Sequence, residues 1–432
     1  MNARSQGIGT AWGVLLSGGV VARSIAFLFS IVAARALQPA GYGAMALGFV
    51  VATVASTFII NVTIGLPPLL SRHSQKGNQD SYYSHALVAV VVVLSATLLV
   101  VIAAAGPIGV SRWMLVGVAA NILGFAFLST YKAVQAAAER TGKLVAAVVV
   151  ANVLQLVAAL TAVVVGWRSP ALFLTIFGLS SVLGVLILEG AAPSPFRFSL
   201  RGLGRGPLLE IGRLATPILV QAVFYPIWFG ADIVLLQALA PGPAVGQYAV
   251  AKNLTNVLYT APAAMATVIS PRLIGANRTE LRGVLARTLG LTACITIPAL
   301  TVLALAGAIL VVLLFGKGYL PAAGPLPLLG IGMALHGFYL VLQSTWVGLG
   351  RTRIVPIAMG AAMVVTIVTG LALIPTHGAA GAAIAFAAGA AVQLAVIGLP
   401  TLLAVLPSAP LEPSAMDPVA GEPVAVEPVA TP

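Results

Sequence analysis

The sequence predicts an all-α integral membrane protein of about twelve transmembrane helices in two parallel six-helix repeats. Three observations carry that fold class. Hydrophobic residues make up 60% of the 432 and charged residues only 7%, against roughly half and a quarter in soluble domains. Apolar stretches of about 20 residues, enough to cross the hydrocarbon core, recur from residue 10 to residue 405. They run without period-2 alternation, which excludes a barrel. In lipid every backbone amide needs an internal partner, and helices remain.

In chain order the predicted spans are 10–34, 42–65, 84–106, 112–134, 143–166, 169–189, 210–238, 245–269, 284–315, 325–349, 354–375 and 378–405. The first imitates a secretory leader, with Arg4, an apolar run, then Ala34-Arg35-Ala36. Arg23 interrupts the run, and its length exceeds the 7–15 residues of a leader's apolar region, so a retained span is predicted. Loops alternate in character. One set, with Arg4, holds fourteen basic residues: Arg72, Lys76, Lys132, Arg140, Lys143, Arg197, Arg201, Arg205, Arg272, Arg278, Arg282, Arg351 and Arg353 are the others. The opposite set holds four: Arg35, Arg112, Arg168 and Lys317. By the positive-inside rule both termini are expected to be cytoplasmic. The net charge of +12, which in a soluble protein would suggest nucleic acid, is thus a topology signal, and no nucleic-acid partner is expected.

The halves repeat. Ala36-Leu37-Gln38-Pro39 followed by Gly43 matches Ala238-Leu239-Ala240-Pro241 followed by Gly246. Arg72 matches Arg272, and Arg140-Thr141 matches Arg351-Thr352, at offsets of 202–203, 200 and 211. Six spans per repeat is an even number, so both halves share one orientation about an axis along the membrane normal. The expected organisation is 1–189, a basic cytoplasmic linker 190–207, 208–405, and a tail 406–432. The tail repeats Pro-Val-Ala behind Asp417, Glu422 and Glu427, a composition expected to be extended and disordered.

Little chemistry remains for an enzyme. Gly316-Lys317-Gly318 lacks the spacing of a phosphate-binding loop, no loop outside the membrane exceeds about 20 residues, and the acids outside the tail are isolated. Cys294 is the single cysteine and the four histidines lack ligand spacing. No catalytic residue, metal or cofactor is therefore expected, and the chain reads as a transporter that does not use ATP.

Charges inside spans each cost roughly 2.5–3.5 kcal/mol on insertion scales and tend to face a cavity or a partner. Asp232 and Lys252 both stand roughly 10–13 Å from the loop at Pro241. They form either a structural pair or a site in which Asp232 orients Lys252 toward an anionic substrate. Arg23 has no acid in its own or the adjacent span; it is either packed against carbonyls or a cavity cation for phosphate, whose oxygens suit an Arg fork. Asn61, Gln221, Tyr225 and Asn256 complete the expected cavity. His336 reads as a packed histidine, with a proton relay as the alternative. Pro217 and Pro226 each remove a helix hydrogen bond, for a static kink or for a hinge.

At the two repeat loops the sequence resembles the polysaccharide export and oligosaccharide flippase family of the multidrug/oligosaccharidyl-lipid/polysaccharide exporter superfamily. Ala34-Arg35-Ala36-Leu37-Gln38-Pro39-Ala40-Gly41-Tyr42-Gly43 is similar to the family's Arg-x-Leu-Gly-Pro-x-x-(Phe/Tyr)-Gly, with Gln38 in place of the usual Gly. Asp232, Leu235-Leu236, Val245-Gly246-Gln247-Tyr248-Ala249-Val250-Ala251 and Pro271-Arg272 carry the second half of the likeness. The resemblance implies two six-helix bundles around a V-shaped cavity lined by spans 1, 2, 7 and 8. It implies alternating-access movement of a polyprenyl-diphosphate-linked oligosaccharide for cell-surface polysaccharide synthesis. Partners would be that lipid-linked substrate, membrane lipid, and a glycan polymerase or glycosyltransferase. Twelve spans rather than fourteen argue against a lipid II flippase, and Arg23 rather than an acid in span 1 argues against a cation-coupled multidrug antiporter. That antiporter is the first alternative, and a scaffold for glycan assembly the second.

Overall fold

The computed structural model describes residues 3–64, 66, 67, 70, 79–108, 111–138, 140–191, 193–199, 204–272, 278–348 and 352–405, all in helices, turns or short connections. The helices are α1 (Ala3–Ile64), α2 (Gln79–Ile108), α3 (Arg112–Ala137), α4 (Thr141–Val164), α5 (Pro170–Ala191) and α6 (Arg205–Leu239). There follow α7 (Pro243–Thr255), α8 (Val257–Arg272), α9 (Arg278–Phe315), a 3-10 segment (Lys317–Ala323), α10 (Leu326–Gly348) and α11 (Ile354–Val405).

Twelve spans are distributed over these elements in a way the apolar pattern alone did not show. A straight α1 of 62 residues would measure about 93 Å, three times the roughly 30 Å hydrocarbon core. It bends at Gln38 (φ 57°, ψ 170°), just before Pro39, which has no N–H to continue the ladder. Both arms then line one cavity, so predicted spans 1 and 2 are the two limbs of one bent helix. The 52-residue α11 bends likewise at Gly378 (φ 53°) and supplies spans 11 and 12. Span 8, expected as one helix, is instead broken at Asn256 into α7 and α8. Among the described residues nine helices are long and apolar enough to cross a membrane, counting each bent pair once.

The first half packs α3 on α5, α4 on α5 and α1 on α4; the second packs α6 and α10 on α11 and α8 on α10. α3 and α5 cross backbone to backbone: a Cβ on Gly124 would lie 2.4 Å from the Gly178 carbonyl oxygen. Small residues allow such approaches, which replace the missing hydrophobic drive in lipid. The halves meet mainly where α1 touches α6 and α7. At the bend the meeting is between equivalent positions. A Cβ on Gly43 would stand 2.8 Å from the Gly246 nitrogen, and one on Gly246 would fall 1.8 Å from the Pro39 carbonyl oxygen. The matched glycines of the repeat are in contact with one another.

The connection between the halves lies along the start of α2. Arg197 N–H donates to Asp80 Oδ1 (2.9 Å), Ser199 N–H to Ser84 Oγ (2.9 Å) and Gly204 N–H to His85 Nε2 (2.8 Å).

Candidate functional site

Both limbs of α1, the first half of α5, the second half of α6, α7 and the start of α8 enclose a cavity of about 610 Å³, within the 300–1,000 Å³ typical of ligand sites. Its mouth is at the end remote from the bend: lining residues Val20 and Val257 are 61% and 60% exposed, whereas Tyr42 at the opposite end is 4% exposed. The walls are apolar and aromatic, with Phe27, Phe49, Phe177 and Phe229 among them.

Arg23 lines this cavity, is exposed, and makes no hydrogen bond or ion pair with any described residue. Tyr225 and Tyr259 line the same cavity. Lys252 also lines the wall, but its ammonium is committed. It donates to Asp232 Oδ1 and Oδ2, both at 2.7 Å, and to the Phe229 carbonyl oxygen. It also lies 4.4 and 4.7 Å from the ring centres of Phe229 and Phe386. Asp232 is fully buried behind it and accepts further bonds from Tyr248 OH (2.6 Å) and Ile233 N–H (2.8 Å). Both carboxylate oxygens and the ammonium are thereby satisfied, as burial of a pair in low dielectric requires.

Among the expected site residues, Arg23, Tyr225, Pro226, Lys252 and Asn256 line the cavity together. Asp232 joins them only through Lys252. The side chains of Asn61, Gln221 and Pro217 lie outside the described residues, and α6 is helical from Arg205 to Leu239, through both prolines. Asn256 sits at the α7–α8 break, its buried Oδ1 without a hydrogen-bond partner. His336 is packed, as the structural reading had it. Its Nδ1 bonds Gln393 Oε1 (2.9 Å), and its ring lies 4.9 Å from that of Trp228. Sequence reasoning missed Tyr42 and Asn253, which meet across the halves (3.4 Å), and Tyr248. A signal existed for the tyrosines, since Tyr42 directly precedes the repeat glycine Gly43 and Tyr248 follows Gly246 by two residues. Among the described residues no three His, Cys, Asp or Glu side chains converge as metal ligands.

Bent helices around a central cavity between two six-span halves define a multi-pass membrane protein. The fold matches a lipid II flippase, MurJ, in an inward closed conformation, with TM-score 0.73 at 13% identity over 90% of this chain and 87% of that one. It matches the inward-facing conformation of a multidrug resistance MATE family transporter of the MOP superfamily, with TM-score 0.75 at 15% identity over 95% and 100%. It also matches a MOP superfamily transporter from Pyrococcus furiosus, described by the reverse polarity of its binding pocket, with TM-score 0.61 at 13% identity over 91% and 95%. No curated protein matches the sequence. A family model described as "Polysaccharide biosynthesis protein" matches residues 8–275, well over half of the chain, and the chain belongs to that family.

Proposed function

We propose that this protein is an alternating-access flippase that moves a polyprenyl-diphosphate-linked oligosaccharide across a bacterial inner membrane for cell-surface polysaccharide synthesis. The observation that carries the reading is the polarity of the cavity. Arg23 presents an unpaired guanidinium, Lys252 is neutralised by Asp232, and no carboxylate is among the described lining residues. A net cation in an apolar, aromatic cavity suits a diphosphate carried on a lipid. An organic cation would need the opposite sign, which weighs against the multidrug antiporter. The family description and the flippase among the structural matches support the same substrate class. With both termini in the cytoplasm, as the basic loops imply, the mouth faces the cytoplasm, where such lipid-linked glycans would enter. Arg23 binds the diphosphate, while Tyr225, Lys252 and Asn256 shape the wall around it; Asn61 and Gln221 belong to the same proposed cavity, and Pro217 and Pro226 to the bending of α6.

Arg23→Ala should leave thermal stability unchanged, because the side chain is exposed and unpartnered, yet cause lipid-linked glycan to accumulate on the cytoplasmic side. Arg23→Lys, which keeps the charge but loses the fork, should fall between the two. Normal glycan export by Arg23→Ala would overturn the reading.

A further inference from the structure

The shut end of the cavity is closed by an element that the repeat does not share. The offset between matched motifs is 200 at Arg72 and Arg272 but 211 at Arg140 and Arg351. The second half therefore carries eleven more residues between its second and fourth spans. In the first half α2 ends at Ile108 and α3 starts at Arg112; in the second, α9 continues to Phe315 and the 3-10 segment Lys317–Ala323 intervenes before α10. The extra residues are the last turns of α9 and that segment.

They reach across to the bend of α1. Arg35 donates through Nε to the Leu314 carbonyl oxygen (2.7 Å) and through a terminal nitrogen to that of Leu313 (2.5 Å). Gly316 N–H takes the Val312 carbonyl (3.0 Å). Three of the four carbonyls that a helix end leaves open are thus satisfied, two of them by a guanidinium of the other half, whose charge also suits the negative end of the helix dipole. Tyr319, 1% exposed, donates its hydroxyl to the Ala34 carbonyl oxygen (2.8 Å) and meets the Tyr42 ring edge-on at 6.2 Å. Gln247 holds the segment from its own half, donating to the Gly318 carbonyl oxygen (3.2 Å).

We propose that this insert is the clasp that keeps the loop end of the cavity shut, and that parting of Arg35 and Tyr319 from their carbonyl partners opens the cavity to the other face. The inference rests on the alternating-access reading but on no particular substrate. Arg35 is exposed, so water can replace its carbonyl partners when the halves separate. The contact is built to break and re-form.

The test places one reporter cysteine, Ala46→Cys on the cavity wall, in a Cys294→Ser background, and follows its reaction with an impermeant maleimide in right-side-out and inside-out membrane vesicles. The unaltered clasp should give fast labelling from the mouth side and slow labelling from the clasp side. Arg35→Ala and, separately, Tyr319→Phe should each raise the clasp-side rate about tenfold, equivalent to about 1.4 kcal/mol lost from the closed state. An unfolding midpoint in detergent close to that of the parent shows that each variant is folded, and Tyr319→Phe removes a single oxygen atom. Slow clasp-side labelling that both variants leave unchanged would overturn the clasp. A reporter that never reacts from the clasp side in any variant would overturn the alternating-access reading beneath it.

Discussion

Lys252 and Asp232 meet because each lies nine residues from the turn that joins their helices, Asp232 before Pro241 and Lys252 after Pro243. That much was legible from spacing. The tyrosine, the carbonyl and the two aromatic rings that complete the pair were not, because they depend on helix rotation and on contact with α11. The completed arrangement makes the pair expensive to break from one side, since an uncompensated buried charge costs roughly 3–5 kcal/mol. Asp232→Ala should therefore lower the unfolding midpoint in detergent sharply, and adding Lys252→Met should recover much of the loss. If the double variant is no more stable than the single one, burial of the lone ammonium is not the cause. Arg23 behaves oppositely. The sequence showed no acid in its own or the adjacent span, but left open whether Arg23 packs against carbonyls or lines a cavity. Gln38 shows what a departure from a family pattern means physically: it holds φ 57°, a region where only glycine is unstrained, at the position where the family uses Gly.

At the scale of elements, apolar length located helical segments at the predicted spans but not where the backbone breaks. Gln38 and Gly378 turn through a single residue, which leaves too short a gap in hydropathy to tell a bent helix from two helices. The break at Asn256 had no apolar signature at all. The motif glycines told more than the apolar runs did, and their contact yields a sharp contrast. Gly246→Ala places a methyl group on the Pro39 carbonyl oxygen and should disrupt the junction of the halves. The same substitution at Gly19, where a Cβ meets nothing within 4 Å, should stabilise α1 by up to about 1 kcal/mol, the ordinary helix preference of Ala over Gly. Thermal unfolding of the two variants side by side measures the difference. Equal midpoints would refute the close contact.

For the whole molecule, the membrane class and the duplication were readable because one is written in composition and the other in motifs that recur in the same order at offsets of 200 to 211. The division of labour between halves was only partly readable. Charge at depth differed visibly between the repeats, but the eleven-residue difference in offset gave no hint that its product would reach across to the opposite half. The described bundle ends at Val405, and the acidic tail beyond it bears on the scaffold reading. Deleting residues 406–432 should leave glycan export intact if the chain works as a flippase. Loss of export, with the deleted protein still present in the membrane at normal amounts, would favour the scaffold.

The contact between Gly43 and Gly246 also sets a lever. Arg23 lies sixteen residues from Pro39, about 24 Å along the first limb of α1, and the limb extends to Ala3, about 54 Å from the same point. A rotation of about 10° about the glycine contact would shift the backbone at Arg23 by about 4 Å and the far end of the limb by about 9 Å, from the same helical rise. Because the contact at that point is backbone against backbone, the side-chain contacts to be undone are the neighbouring ones of Arg35 and Tyr319. The smallest residues in the repeat would thus be the fulcrum of the largest displacement.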